Sequence, residues 1–346
     1  MNKFAQIVLL VFLVGMPHVL YSQPYIYFVH ERESTKTENS VDTLFRLNLK
    51  TKLTTILYIH DELLQIPMWD QTQSYLYLDS WIDAAFLMNC SNIRDIFTVL
   101  DPYPSSCNGI LYCPTKKCVY ALVSFRGIDG TSLYKFRVDR KTIKETVKLS
   151  EILSYGRNCE KVFFSSDKRL IYFPIITEVD GYIASDQEKV MLYSTKKDKI
   201  IGSKKLSEIG HPGAEGYELN NGKDGVGIVT SYLGWPNLES YFTIYNFDKS
   251  IKIGEVHTLG GQEPFLIGQS EYLALAYDDV KESEVLGYSG KIDIYDVRTG
   301  KYILRYNFPP RGEIYQFDNY QDTLYYVLNK GTKPEIFTID VNSIKK

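Results

Sequence analysis

Histidine, the side chain most often used for acid–base chemistry near neutral pH, is scarce in this sequence of 346 residues, with five copies. His211 lies in the glycine-rich stretch GHPGAEGYE, which also contains Glu215 and ends at Glu218. An imidazole and carboxylates brought together by one loop are candidates for a general acid–base pair. Because glycines also serve simply to turn the chain, the same stretch is compatible with a purely structural loop.

Other catalytic and cofactor-binding patterns are missing from the sequence. It contains no GxSxG nucleophile motif, no phosphate-binding GxxxxGK[ST] or GxGxxG context, and no EF-hand spacing. His257 lies within KIGEVHTL, a segment with the pattern of a strand, and we interpret it as a structural imidazole. The sequence therefore disfavours both a serine hydrolase and a nucleotide-binding enzyme.

The five cysteines lie at positions 90, 107, 113, 118 and 159. Cys113 and Cys118 enclose the four-residue turn PTKK, so their sulfur atoms are expected to face each other across a hairpin. The odd number leaves at least one thiol unpaired within the chain. We predict a disulfide between Cys113 and Cys118, since no CxxC or HxxxH spacing supplies the further ligands of a zinc site.

The first 22 residues have the pattern of a secretory signal peptide. Lys3 gives a basic start, IVLLVFLVG forms an apolar core, and Ser22 is a small residue before the predicted cleavage site. A buried first strand or a retained anchor is the alternative interpretation. We predict a secreted or periplasmic protein whose single domain spans residues 23–346, without a transmembrane anchor after cleavage.

The charge of the chain gives no general reason to bind nucleic acid. Removing residues 1–22 takes away one lysine and no acid, so the formal charge changes from −3 to −4. A weakly acidic protein is not attracted to phosphate backbones. We expect no nucleic-acid partner, and a monomer.

Short apolar segments recur after polar turns along the whole chain. They read YIYF, YLYL, VYAL, LIYF, VGIV, YLAL and LYYV, beginning at Tyr25, Tyr75, Val119, Leu170, Val226, Tyr272 and Leu324. Each is followed by a second strand-like segment, such as KIDIYDV. Seven units of about 50 residues are typical of a β-propeller, in which antiparallel sheets pack face to face in a ring. The prediction is an all-β, seven-bladed propeller with four-stranded antiparallel blades; a two-domain β-sandwich is the alternative.

Two of these segments carry a family resemblance. FSSDKRLIYF resembles the inner turn of WD40-like, YVTN-type and TolB-type propellers, and IYDVRTGKYIL is similar to their outer turn. The equivalent outer-turn position is taken by short Asx side chains, at Asn48, Asn246, Asp296 and Asp340. Such side chains bond the backbone of their own turn. The resemblance covers the whole mature chain and implies a fold rather than an activity. We expect the incomplete first and last units to share one blade.

The predicted connections differ between the two ends of the sheets. Turns between first and second strands, and between third and fourth strands, are short. Connections between second and third strands are long and together contain 15 acidic against 7 basic residues, a charge of −8. Long loops on a rigid scaffold commonly carry binding residues. This charge favours a cationic partner or a hard cation such as Ca²⁺, while a solvated rim is the structural alternative.

Candidate ligand-binding residues come from these long connections and from the loop of His211. They are Trp81, Arg126, Asp180, Tyr182, His211, Glu215, Trp235, Asp278 and Asp279. We predict an exported, non-catalytic propeller that binds a protein, peptide or glycan at this acidic face. The alternative is a propeller enzyme, similar to lactonases or glycan-processing hydrolases and lyases, with His211 and Glu215 at the central channel and possible dependence on a divalent cation.

Overall fold

The described part of the chain is almost entirely β-structure. A computed structural model describes residues 25–32, 41–48, 51, 53–60, 68–69, 74–79, 85–90, 92–100, 104–125, 131–148, 162–175, 178–179, 182–183, 189–234, 239–259, 262–267, 271–278, 288–307, 313–320, 323–329 and 335–340. Within these ranges there are 28 strands, β1 to β28, and two short 3₁₀ helices, Pro114–Lys116 and Leu206–Glu208.

The first three sheets follow one another along the chain. Sheet 1 contains β1 (Tyr25–Arg32), β2 (Val41–Asn48) and β3 (Thr54–His60). Sheet 2 contains β4 (Met68–Trp69), β5 (Tyr75–Asp79), β6 (Ala85–Asn89) and β7 (Asn92–Leu100). Sheet 3 contains β8 (Pro104–Cys113), β9 (Cys118–Phe125), β10 (Thr131–Arg137) and β11 (Thr142–Lys148).

Four further sheets complete the series. Sheet 4 contains β12 (Phe163–Phe164), β13 (Leu170–Ile175), β16 (Lys189–Ser194) and β17 (Lys199–Lys205), and a separate two-stranded ribbon, β14 (Glu178–Val179) and β15 (Tyr182–Ile183), lies between β13 and β16 in the chain. Sheet 5 contains β18 (Gly216–Lys223), β19 (Val226–Leu233), β20 (Glu239–Asn246) and β21 (Ile251–Leu259). Sheet 6 contains β22 (Gln262–Ile267), β23 (Tyr272–Asp278), β24 (Tyr288–Asp296) and β25 (Tyr302–Asn307). Sheet 7 contains β26 (Glu313–Tyr320), β27 (Thr323–Asn329) and β28 (Glu335–Asp340).

Successive sheets pack against each other through their faces. The first strands of sheets 3 to 7 contact one another in chain order, β8 with β12, β12 with β18, β18 with β22 and β22 with β26. Sheet 5 shows why both faces of a sheet are apolar: Val229 packs toward Phe163 and Tyr172 of sheet 4, whereas Phe242 packs toward Leu273 of sheet 6. Alternate residues of a strand point to opposite faces, so each sheet contributes to two cores.

This arrangement confirms the predicted all-β propeller class. The seven repeated segments fall in β1, β5, β9, β13, β19, β23 and β27, one in each sheet. Five sheets have four strands and two have three among the described residues. The two ends of the chain form separate three-stranded sheets, so the shared blade that we expected is not found among the described strands.

The predicted Asx turns between third and fourth strands are confirmed at three positions. Oδ1 of Asn48 accepts the N–H of Thr51 at 3.1 Å, Oδ1 of Asn246 accepts that of Lys249 at 2.8 Å, and Oδ1 of Asp296 accepts that of Thr299 at 2.7 Å. Each bond satisfies a backbone donor within the turn. The recurrence of one turn chemistry in sheets 1, 5 and 6 is a structural mark of the repeat.

The predicted signal peptide, residues 1–22, lies outside the described residues. Among the residues that are described, no helix is long and apolar enough to cross a membrane.

Candidate functional site

Only part of the predicted site can be located in the structure. Trp81, Arg126, Asp180, Trp235 and Asp279 lie outside the described residues. Tyr182 falls in β15 and Asp278 ends β23, with only the backbone described. The side chains of His211 and Glu215 are described, and the candidate site is built around His211.

The backbone of His211 is held on sheet 5 by hydrogen bonds from two directions. Its N–H donates to Oγ of Ser231 at 2.9 Å, and its carbonyl oxygen accepts the hydroxyl of Tyr217 at 3.0 Å. A Cβ at the preceding Gly210 would collide with both partner side chains, which explains the glycine at this close approach. The connection from sheet 4 to sheet 5 is therefore fixed at His211.

The imidazole of His211 begins a stack of three rings. Its ring centroid lies 3.7 Å from that of Tyr241, and the Tyr241 ring lies 4.4 Å from that of His257, with interplanar angles of 19° and 21°. Tyr241 and His257 are directly paired across β20 and β21. We call His211, Tyr241 and His257 the ring stack. Both faces of the tyrosine are covered by imidazoles.

Glu255 lies beside the His211 end of the ring stack. Its Oε1 is 3.6 Å from Nδ1 of His211, and its Oε2 accepts hydrogen bonds from Oγ1 of Thr243 at 2.9 Å and Nζ of Lys252 at 2.8 Å. Burial acts to raise the pKa of Glu255, but the bonds from Lys252 and Thr243 and the nearby His211 outweigh it. The pKa therefore lies below its ordinary value of 4.5.

Glu239 lies beside the His257 end. Its Oε2 accepts the hydroxyl of Tyr241 at 3.2 Å and is 3.4 Å from Nε2 of His257. The pKa of Tyr241 is raised, first by burial and then by the hydrogen bond to Glu239. The side chains of Glu239 and His257 are 43% and 47% exposed, so this end of the site is open to solvent.

The ring stack lies at the long-loop end of sheet 5. The chain leaves β19 at Leu233 and enters β20 at Glu239, so the ring stack is at the end of sheet 5 where the second strand is connected to the third. Tyr217, Ser231, Tyr241 and His257 form one cross-strand row, on the same face as the Val229 that packs toward sheet 4. The site is thus on the predicted face of the protein, but on the third and fourth strands rather than at the central channel.

The predicted convergence of His211 with Glu215 and Glu218 is not found among the contacts of the described residues. Glu218 accepts the hydroxyl of Tyr232 at 2.7 Å, and Glu215 is exposed. No hydrogen bond or ion pair joins either carboxylate to His211 in the described part of the chain. Successive side chains of a strand point to opposite faces of the sheet. Tyr217 is on the same face as the ring stack, so Glu218 is on the other face and cannot approach it.

Sequence reasoning missed Glu239, Tyr241 and Glu255, and it treated His257 as an ordinary strand residue. The pattern that could have indicated these residues is a spacing of two positions along a strand. Glu239 and Tyr241 are two residues apart on β20, and Glu255 and His257 are two residues apart on β21. Alternation places each pair on one face. Only the register between the two strands then brings the pairs together.

The predicted disulfide between Cys113 and Cys118 is not formed in the structure. The two residues are opposite each other across β8 and β9, as expected, but both are buried free thiols. The Cys118 thiol donates to the carbonyl oxygen of Lys116 at 3.1 Å, and Sγ of Cys113 is 3.4 Å from Oγ1 of Thr115. Each sulfur therefore has its own partner in the turn, and burial raises the pKa of the Cys118 thiol.

No group of three or more His, Cys, Asp or Glu side chains is placed to hold a metal ion within the described ranges.

The fold is similar to that of solved β-propeller structures. No protein-family profile matches the chain, and no curated protein matches it. An oligogalacturonate lyase from Vibrio parahaemolyticus is 8% identical, with a TM-score of 0.57 over 92% of this chain and 98% of that one. The WD40 domain of a coronin from Toxoplasma gondii is 10% identical, with a TM-score of 0.53 over 91% of this chain and 79% of that one.

These similarities establish a β-propeller fold and nothing about activity, because the identities are so low. A TolB from Acinetobacter baumannii is 11% identical over 93% of this chain and 78% of that one. Its TM-score of 0.45 is too low to support a conclusion about this chain.

Proposed function

We propose that the chain is an exported, non-catalytic β-propeller that binds a protein or peptide at the long-loop end of sheet 5. The observation that carries this proposal is the ring stack with the exposed carboxylate of Glu239 beside it. Export rests on the signal-like residues 1–22, and the monomeric state is part of the proposal.

The ring stack has the properties of a binding surface. A few residues contribute most of the binding energy at protein interfaces, and tyrosine is one of the residue types enriched among them. Tyr241 is fixed by rings on both faces and by its hydroxyl bond to Glu239, so a ligand would find it already ordered. Little conformational entropy is then lost on binding.

A peptide or protein ligand is favoured over a glycan by the geometry of the rings. Stacking on a sugar favours the open face of a large aromatic ring; His211 and His257 cover both faces of Tyr241, so the ring left open to a ligand is the smaller imidazole of His257. The groups that are open to solvent are a carboxylate and an imidazole. The charge of −8 on the long connections also favours a cationic protein surface.

The alternative function is a propeller enzyme, favoured by the pairing of His211 with Glu255 at 3.6 Å. A carboxylate that orients an imidazole is a common arrangement for a general base. Two of the similar structures are oligogalacturonate lyases, one of them in complex with manganese. Incubation with oligogalacturonate and Mn²⁺, followed by the ultraviolet absorbance of an unsaturated product, tests this alternative. Turnover that is lost in His211→Ala would replace the non-catalytic proposal.

The binding proposal is tested by panning a random peptide library displayed on phage against the full chain. We expect enrichment of specific peptides whose binding is lost in Tyr241→Ala and kept in Tyr302→Ala. Tyr302 is a matched control because it is a 53% exposed tyrosine on the outer strand of sheet 6. Failure to enrich any peptide, or equal binding by Tyr241→Ala, would contradict the proposal. Enrichment on a glycan array instead would assign the site to sugars.

Export is tested separately, by fusing residues 1–22 to an alkaline phosphatase that is active only outside the cytoplasm. Phosphatase activity in intact cells is the expected result, and an inactive fusion would remove export from the proposal.

A further inference from the structure

We infer that the group recognised at the ring stack is the guanidinium of an arginine side chain in the ligand, held by Glu239 and His257. This inference rests on the proposed function, because it names the ligand chemistry of the same site. It is carried by three observations: the partners of Glu239, the exposed ring of His257, and the distribution of charge around them.

Glu239 has a carboxylate oxygen available for a ligand. Its Oε2 is used by Tyr241 and His257, and no hydrogen bond or ion pair with a described residue involves its Oε1. The hydroxyl bond from Tyr241 keeps the carboxylate in one orientation. A charged hydrogen bond from a guanidinium to a fixed carboxylate is stronger than one between neutral groups.

His257 and Leu259 supply the remaining surface that an arginine needs. One face of the His257 ring is stacked on Tyr241, and the side chain is 47% exposed. A planar guanidinium stacks on such rings, which an ammonium does less well. Leu259 is paired directly with Glu239 across β20 and β21 and is 68% exposed, so it can cover the methylene groups of the arginine.

The charges around the site leave Glu239 as the uncompensated group. On β21, Lys252 is bound to Glu255 at 2.8 Å, and these two charges offset each other. The connection that carries His211 adds only the acids Glu208 and Glu215. With neutral imidazoles the two glutamates of the site and Lys252 sum to −2 + 1 = −1, which attracts a cation.

The test uses isothermal titration calorimetry of the full chain with blocked hexaarginine, hexalysine and hexaglutamate peptides. We expect hexaarginine to bind more tightly than hexalysine and hexaglutamate not to bind. Glu239→Gln is expected to weaken hexaarginine about tenfold, the effect of one charged hydrogen bond. Glu208→Gln is the control, since it removes one exposed charge of the same connection without touching the site, and we expect it to leave the affinity within about twofold.

Three results would overturn the inference. The first is no binding of hexaarginine, and the second is full affinity in Glu239→Gln. The third is the same loss of affinity in both variants, which would indicate general attraction of a polycation. If panning selects neutral or acidic peptides that depend on Tyr241, the proposed function stands and the arginine inference fails.

Discussion

Nδ1 of His211 lies 3.6 Å from Oε1 of Glu255, which joins the connection between two sheets to the outermost strand of the second sheet. The imidazole also covers the ring of Tyr241 on the strand between them. The pair thus spans the width of sheet 5 at its long-loop end. Because Glu255 is also bonded to Thr243 and Lys252, its ionised form has a structural role that can be measured by pH.

Replacement of Glu255 by Gln should lower the stability at neutral pH by about 1 kcal/mol, the worth of its hydrogen bonds to charged and hydroxyl donors. The pKa of Glu255 is depressed in the folded state. A depressed pKa stabilises the protein above the unfolded value of 4.5 and loses this effect as the pH falls through the folded value. Urea unfolding should therefore show a difference at pH 7 that shrinks below about pH 4.5. An equal difference at both pH values would show that the ionised carboxylate is not responsible.

Replacement of Gly254 by Ala should destabilise the contact between sheets 5 and 6. A Cβ at this position would collide with the backbone carbonyl oxygen of Val297. Overpacking against backbone costs about 1–3 kcal/mol, because neither sheet can move away without opening the core. Thermal unfolding followed by circular dichroism measures the effect. Gly202→Ala is the control, since nothing lies within 4 Å of its added Cβ; a Gly254→Ala protein as stable as this control would contradict the packing described.

Replacement of Asp248 by Asn should weaken the contact between sheets 4 and 5. The carboxylate accepts the N–H of Ser166 at 2.8 Å, its hydroxyl at 2.6 Å, and the hydroxyl of Tyr172 at 2.8 Å. Burial and this last bond raise the pKa of Tyr172. An amide group turns one acceptor into a donor, so we expect a loss of about 1–3 kcal/mol in chemical unfolding.

The control for this experiment is Asp139→Asn. Asp139 pairs only with the nearby Arg137 at the surface, among the described residues, at 2.8 Å. A surface pair contributes about 0–1 kcal/mol. If both substitutions cost the same, the bonds of Asp248 do not join the two sheets.

Replacement of Arg305 by Met should leave the carboxylate of Asp293 without its guanidinium. Asp293 is 2% exposed and is bound by Nε and Nη2 of Arg305 at 2.6 Å and 2.7 Å. Removing one partner of a fully buried pair costs about 3–5 kcal/mol, and we expect a smaller loss here because Arg305 is itself partly exposed. Asp293→Leu combined with Arg305→Met should recover stability, since an apolar pair leaves no unpaired charge. A double variant less stable than the single one would contradict this account; guanidinium unfolding measures all three proteins.

The repeat could be predicted from the sequence because it depends on local patterns. The segments beginning at Tyr75 and Leu170 are short runs of large apolar residues next to tight turns, and this pattern is enough to define β5 and β13. The turns of Asn48, Asn246 and Asp296 were equally predictable, since their hydrogen bonds form within four residues.

The composition of the site could not be predicted in the same way. Glu255 reaches His211 only because the register pairs Tyr241 with His257 and because Ser231 holds the connection above them. These relations join distant parts of the chain, and no local pattern encodes them. For the same reason the nearest glutamates in sequence, at 215 and 218, were the wrong partners.

The three rings of the ring stack come from two different parts of the repeated structure. Tyr241 and His257 belong to one repeat, whereas His211 belongs to the segment that joins that repeat to the previous one. Duplication or exchange of the whole repeat would copy the first two and leave the third behind. Specificity at this position could therefore be gained or lost by recombination at the boundary, while the strands that build the scaffold stay intact.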